Sequence, residues 1–220
     1  MKEPIKRAFY MRDAVSVARD LLGKKLVHLN GLEEVSGIIV ETEAYAGKDD
    51  AACHSYKRSG PAQAHRTNVM FGPGGYAYVY LIYGMYDCFN VVANSPGEPE
   101  AVLIRALEPR EGVSFMEERR KTQNIKNLCS GPGKLCMALG ITRAHYGADL
   151  CAAGSLFITD EGPIPEGRIL ATPRINVDYA GEAALLPYRF VLRDSEFLST
   201  KRHVNTPRTR AYTNLQSSGC

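Results

Sequence analysis

Residues 70–90 read MFGPGGYAYVYLIYGMYDCFN. Gly72, Pro73, Gly74 and Gly75 punctuate the chain ahead of an apolar and aromatic run, 76–82, whose composition favours a β-strand. Gly84 breaks that run and residues 85–93 resume it. The pattern is two strands meeting at a tight turn, which projects Tyr83 outward. A turn over 94–99 leads to another strand over 101–107. Upstream, Asp13 is placed to cap a short helix with apolar positions Val15, Val17, Ala18, Leu21 and Leu22, ending at Gly23. Strands over 25–28 and 35–43 are joined through Asn30 and Gly31. Downstream, 110–140 is helical, with one helix over 111–121 and another starting at Gly131 or Pro132. Short strands follow at 155–159 and 188–192, with turns over 161–167 and a bend at Gly181. The fold class predicted is α+β: a single compact domain with a curved antiparallel β-sheet and surrounding helices. Residues 1–200 form that domain and 201–220 a basic, polar tail.

Composition sets the outer bounds. A chain of 220 residues suits one medium domain. With 45% hydrophobic and 23% charged residues it has the balance of a folded, soluble protein. The formal charge of +3 is compatible with a polyanionic partner without requiring one. Two basic clusters, Arg119, Arg120, Lys121 and Lys126, then Lys201, Arg202, His203, Arg208 and Arg210, suit phosphate contact, although a solvated helix face and a charged tail give the same pattern. The six cysteines form neither a CxxC pair nor a secreted framework and are expected to be reduced. Cys53 and His54 adjoin, but further ligands at metal-site spacing are missing, so no metal and no cofactor is expected. The N-terminus has no apolar signal core and no segment has the ~18 apolar residues of a membrane span, which points to a cytoplasmic protein without membrane contact.

Chemistry concentrates between Glu41 and Asn90. Glu43 ends the apolar run 37–40, where a strand can hold a carboxylate against a substrate, or where an acidic residue simply closes a strand. Residues 48–67 read as a polar surface loop around a short helical piece, carrying His54 and Arg66. Lys134 lies in SGPGKL, which lacks the spacing of a nucleotide-binding loop. A phosphate contact at a helix start and an ordinary Gly-Pro helix start both fit it.

ETEAY, His54-Ser55, MFGPGG, YVYLIYGMY with Cys88 and Asn90, ALEPREG, LCSGPGKLC and RINVDYAG occur in order across nearly the whole chain. In that ordered set the chain closely resembles the alkyladenine (3-methyladenine) DNA glycosylases of the mammalian type. The resemblance implies a mixed α/β fold with a curved antiparallel sheet. It also implies excision of alkylated or deaminated purines from duplex DNA by hydrolysis of the N-glycosidic bond, leaving an abasic site. The target nucleotide must first be flipped into a pocket. On this resemblance Glu43 is the general base and Arg105 positions Glu43, water or the target phosphate. Tyr45, His54 and Tyr80 form the base pocket, Asn90 excludes the 2-amino group of guanine, Tyr83 is the wedge in the DNA stack, and Met85 leans on the opposing base. Arg66 contacts the backbone, and Lys134 can do so. No lysine aligns with a nucleophile, which argues against a Schiff-base lyase.

The pattern departs from the family where Arg-Asn before Met-Phe becomes Arg66-Thr67-Asn68. The resemblance implies a catalytic domain alone, of bacterial origin and associated with the nucleoid when on DNA, acting as a monomer. Two competing readings are a noncatalytic module whose tyrosines stack on exposed bases, for which Glu43 is dispensable, and a metallohydrolase, which a chelator would silence.

Overall fold

A computed structural model describes residues 3–62, 65–202 and 204. Two short helices, α1 (Arg7–Tyr10) and α2 (Ala14–Asp20), precede the sheet. The Asp13 carboxylate accepts from Ser16 N at 2.9 Å and starts α2 as the sequence predicts. Next come β1 (Lys25–Asn30) and the long β2 (Glu33–Tyr45), then β3 (Ala77–Ile82), β4 (Tyr86–Ala93) and β5 (Glu100–Pro109). Helices α3 (Val113–Arg120), α4 (Ile125–Leu128) and α5 (Pro132–Leu139) follow, and the chain returns through β6 (Leu156–Thr159), β7 (Ile169–Thr172) and β8 (Arg189–Leu192). All of the strand pairings are antiparallel. The order is β3-β4-β5-β2-β1-β6, with β8 on β2 and β7 on β8.

β2 organises the sheet because it changes partner along its length. Its first half pairs with β1, through Lys25↔Ile38 to Asn30↔Glu33, and its second half with β8, through Glu41↔Val191 to Glu43↔Arg189. On its other edge β5 runs from Gly37↔Pro109 to Tyr45↔Ala101, with register shifts on both sides of Glu41. Arg105 is skipped in that register, between Ala106↔Glu41 and Ile104↔Thr42. An irregularity of this kind re-aims a side chain. α2 packs on β2 and β5, α5 packs on β4 and β5, and one core of buried residues, including Tyr10, Ile39, Phe89, Ile104, Leu107 and Met116, runs through them.

Differences from the sequence reading have local causes. Residues 48–67 are not a surface loop throughout: Cys53, Ser55 and Thr67 are buried, because Asp50 turns inward to Arg174. Helix α4 and strand β7 are short and lack a strong period, so neither was read. The first basic cluster is largely engaged within the fold. Arg119 pairs with Glu33, Arg120 donates to Leu128 O at 3.1 Å, and Lys126 meets Glu196 at 2.7 Å. The tail expected at 201–220 lies outside the described residues except for 201, 202 and 204. Cys53, Cys88, Cys129, Cys136 and Cys151 are unpaired thiols. Among the described residues no helix is long and apolar enough to cross a membrane.

A pair of imidazoles closes β1 against the loop after α5. His28 Nδ1 donates to Leu139 O at 2.7 Å, so its Nε2 is left to accept from His145 Nε2 at 3.1 Å. Burial, reinforced by His145 and Arg119, pushes His28 below its ordinary value. As pH falls below about 6.5 the unfolded chain takes up a proton that the folded His28 refuses, so stability falls. Urea unfolding midpoints are predicted to drop between pH 7.5 and 5.5 in the wild type, and to drop less in His28→Asn. An equal drop in both proteins contradicts this.

Candidate active site

The tip of the β3–β4 hairpin is a three-residue loop in which Tyr83 (φ 52°) and Gly84 (φ 70°) both adopt left-handed backbone. For glycine this is free, but for tyrosine it costs about 1–2 kcal/mol. The strained turn lifts Tyr83 to 76% exposure beside Met85 at 66%, as the glycine break predicts. Behind the hairpin lies a cavity of about 370 Å³, lined by Tyr45, His54, Tyr78, Tyr80, Asn90 and Arg105 among others, with Tyr83 and Tyr179 also contributing.

Alternation along β3 puts Tyr78 and Tyr80 on one face. Their rings lie 5.2 Å apart, and His54 meets Tyr80 edge-on at 4.7 Å. His54 Nδ1 is 2.9 Å from the Tyr78 hydroxyl. Burial, with Arg66 and His65 adding to it, pushes His54 down to about 4, so it is neutral at pH 7. Asn90 faces the same space from β4 and is fixed by donating to Tyr78 O at 3.0 Å. Tyr45 comes from the end of β2, and burial and the Glu43 charge raise its hydroxyl well above the ordinary value. It therefore stays a donor. Among the described residues that line the cavity none is a lysine, and Arg105 is the formally charged one.

Glu43 stands directly behind this wall. It is fully buried and does not itself line the cavity, but it is bonded to three residues that do. Its Oε1 accepts from Ile175 N at 2.7 Å, and its Oε2 from the Tyr45 hydroxyl at 2.9 Å and Arg105 Nη1 at 3.2 Å. A carboxylate has about four acceptor sites, which leaves Glu43 about one. Glu41, two residues earlier, is equally buried and accepts four bonds, three at Oε1 and one at Oε2. It accepts from Arg105 Nε (2.9 Å), Arg189 Nε (2.8 Å), Ser199 N (2.6 Å) and Ser199 Oγ (2.8 Å). Burial acts to raise Glu41, but the guanidinium groups of Arg105 and Arg189 outweigh it and hold the carboxyl below its ordinary range. Burial likewise works against the charge on Arg105, but Glu43 and Glu41 more than restore it, so its value is raised. Of the two carboxylates, Glu43 is bonded to three residues of the cavity wall, whereas Glu41 meets that wall through Arg105.

The structure brings Tyr45, His54, Tyr80, Tyr83, Asn90 and Arg105 around one cavity. Arg66 lies outside it, in an open groove on the far side of Tyr80, with its guanidinium 5.4 Å from the Tyr80 ring. Lys134 is held by Asn127 Oδ1 at 2.5 Å and does not itself line the cavity, although Pro132 and Gly133 just before it do. Glu41, Arg189, Asp50 and Arg174 were missed. Glu41 opens the ETEAY motif, and its two-residue offset from Glu43 was a usable signal; Arg174 opens RINVDYAG. Arg189 carries no signal in its neighbours. Arg174 grips Asp50 at 2.5 and 2.8 Å, and lies 4.9 Å from the Tyr45 ring.

Residues 8–196 match the family model described as methylpurine-DNA glycosylase. A relative from Methanocella arvoryzae is 52% identical over 196 residues, covering 89% of this chain and 95% of its own. One from Alkaliphilus oremlandii is 47% identical over 205 residues, covering 90% and 99%. Another, from Bacillus cereus, is 49% identical over 204 residues, covering 88% and 98%. All three carry the provisional name 3-methyladenine DNA glycosylase.

The Asp50 carboxylate also accepts from Ala46 N and Ala52 N, both at 3.0 Å, so it shapes the loop that brings His54 to the cavity. Asp50→Ala strands a buried guanidinium and is predicted to cost about 3–5 kcal/mol of unfolding free energy. Chemical denaturation measures it, and a loss under about 1 kcal/mol, the worth of an exposed pair, contradicts the assignment.

Proposed function

The chain belongs to the methylpurine-DNA glycosylase family, and we propose that it excises alkylated and deaminated purines from duplex DNA as a monofunctional, metal-independent hydrolase. The observation that supports this reading is a buried carboxylate tied to the cavity wall: Glu43 accepts from Tyr45, Arg105 and Ile175, all of which line the cavity, and its Oε1, with a single bond, keeps about one acceptor site.

A purine turned out of the helix is received between Tyr45 and Tyr80, whose flat faces accept several lesion shapes. His54, neutral at pH 7, adds an edge contact, and Asn90 crowds the purine 2-position against the amino group of guanine. Tyr83 enters the gap left in the stack, with Met85 against the opposing base. Exposure of these two apolar side chains on a strained turn supports an insertion role. Glu43 takes a proton from water as its oxygen attacks C1′. The bond from C1′ to the base nitrogen breaks, and the base leaves with the electron pair. The Glu43 charge also favours positive charge developing on the sugar. An alkylated purine departs readily because it is already cationic, whereas a neutral lesion needs protonation or polar contacts. The absence of lysine among the described lining residues supports a product that is an abasic site with the strand intact. Arg66, beyond the Tyr80 wall, suits the backbone of the bound strand. We take Lys134 as a secondary backbone contact, residues 1–200 as the catalytic domain with 201–220 as a basic tail, and the protein as a monomer acting on DNA in the cytoplasm.

Chromatography of free base from duplexes carrying hypoxanthine, ethenoadenine or 3-methyladenine, with chelator present, tests the reaction. Wild-type protein is predicted to release the lesion and spare adenine. Glu43→Gln is predicted to bind lesion DNA and to release base more slowly by about 10²–10⁴-fold, the usual worth of a general base. Tight binding without release in the wild type contradicts the hydrolase and favours a noncatalytic lesion binder.

A further inference from the structure

We propose that Glu41 is a positioning residue for base excision: by holding the Nε of Arg105 and the Ser199 hydroxyl that takes its Nη2, it keeps that guanidinium from engaging Glu43 through two bonds and so leaves Glu43 its acceptor site for water. The inference rests on the glycosylase reading and concerns the same site.

A guanidinium beside one carboxylate closes on it fork to fork, with two parallel hydrogen bonds. Arg105 is buried and would gain from doing so with Glu43. Instead its Nε goes to Glu41 at 2.9 Å, its Nη1 to Glu43 at 3.2 Å, and its Nη2 to Ser199 Oγ at 3.2 Å. The shorter of the two carboxylate bonds is to Glu41, and Ser199 Oγ, itself bonded to Glu41, takes the Nη2 that a second bond to Glu43 would use. Alternation along β2 brings Glu41 and Glu43 to one face, and the register shift at Arg105 sets the guanidinium between them.

Arg189 supplies the charge that lets Glu41 do this. It is fully buried and spends its donors on Glu41, Thr172 Oγ1, Thr200 O and Arg202 O. A buried ion pair of this kind is weak evidence for stability, since apolar replacements often match it. Its bonds account for a different purpose: Glu41 and Arg189 hold Arg105 on one side and residues 199–202 on the other. The charged and titratable groups around Glu43 are then Tyr45 and Glu41 on β2, Arg105 on β5, Arg189 on β8, Tyr80 on β3, and Arg174 and Tyr179 after β7. Removing the Glu41 carboxylate frees Arg105 to turn toward Glu43 and fill the acceptor site that is otherwise left open.

The test compares single-turnover hypoxanthine release and lesion-DNA binding in wild type, Glu41→Gln and Glu41→Gln/Arg189→Met. The double variant is included because Glu41→Gln alone strands the Arg189 cation and can fail to fold. For each folded variant we expect release slowed by about tenfold, the weight of one well-placed hydrogen bond. Binding should stay within about threefold. Wild-type release is the control, and its absence fails the glycosylase reading itself. With that control met, a folded double variant that keeps the wild-type rate overturns the assignment, and so does one whose binding weakens as much as its release slows, which marks a purely structural pair.

Discussion

Two carboxylates and two guanidinium groups, Glu41, Glu43, Arg105 and Arg189, share one buried patch in the middle of the sheet, where β2 passes between β5 and β8. Charges taken out of water are tolerated only when each is paired and hydrogen-bonded. That constraint reaches outward in every direction. It fixes the irregular register that aims Arg105, docks β8 against the second half of β2, and ties residues 199–202 to the sheet. It also bears on chemistry, because Glu43 spends its three bonds on residues of the cavity wall while Glu41 meets that wall through Arg105.

The cavity is the apolar counterpart of that patch. Rings from β2, β3 and the 48–67 segment wall it, and three of them have their polar ends tied: Tyr45 to Glu43, and Tyr78 and His54 to each other. Such ties fix the rings as platforms before any base arrives, so less ordering remains to be done on binding. The strained hairpin tip works the other way. It holds an aromatic side chain in water at a cost, one that the proposed insertion into a base stack would offset.

Residues whose role is local were legible in the sequence. Asp13 caps its helix by an adjacent rule, Gly84 marks the turn that exposes Tyr83, and strand periodicity places Tyr78 and Tyr80 side by side. Long-range partners were not. Nothing near Arg189 announces that it meets a glutamate 148 positions away, and nothing in 48–67 shows that Asp50 will be drawn inward by Arg174, 124 positions on. Glu43 was read as a group held against a substrate, and the fold sets it one layer behind the wall, reached through Tyr45, Arg105 and Ile175. A short strand such as β7 carries too few residues to show a period.

A crystal structure of Glu43→Gln bound to a duplex containing hypoxanthine tests the central claim most directly, because the variant keeps the pocket and stalls the reaction. The account predicts the base between Tyr45 and Tyr80, its glycosidic bond intact and facing the substituted side chain at position 43, with Tyr83 filling the gap in the stack. A lesion still stacked in the helix over an empty cavity would contradict it.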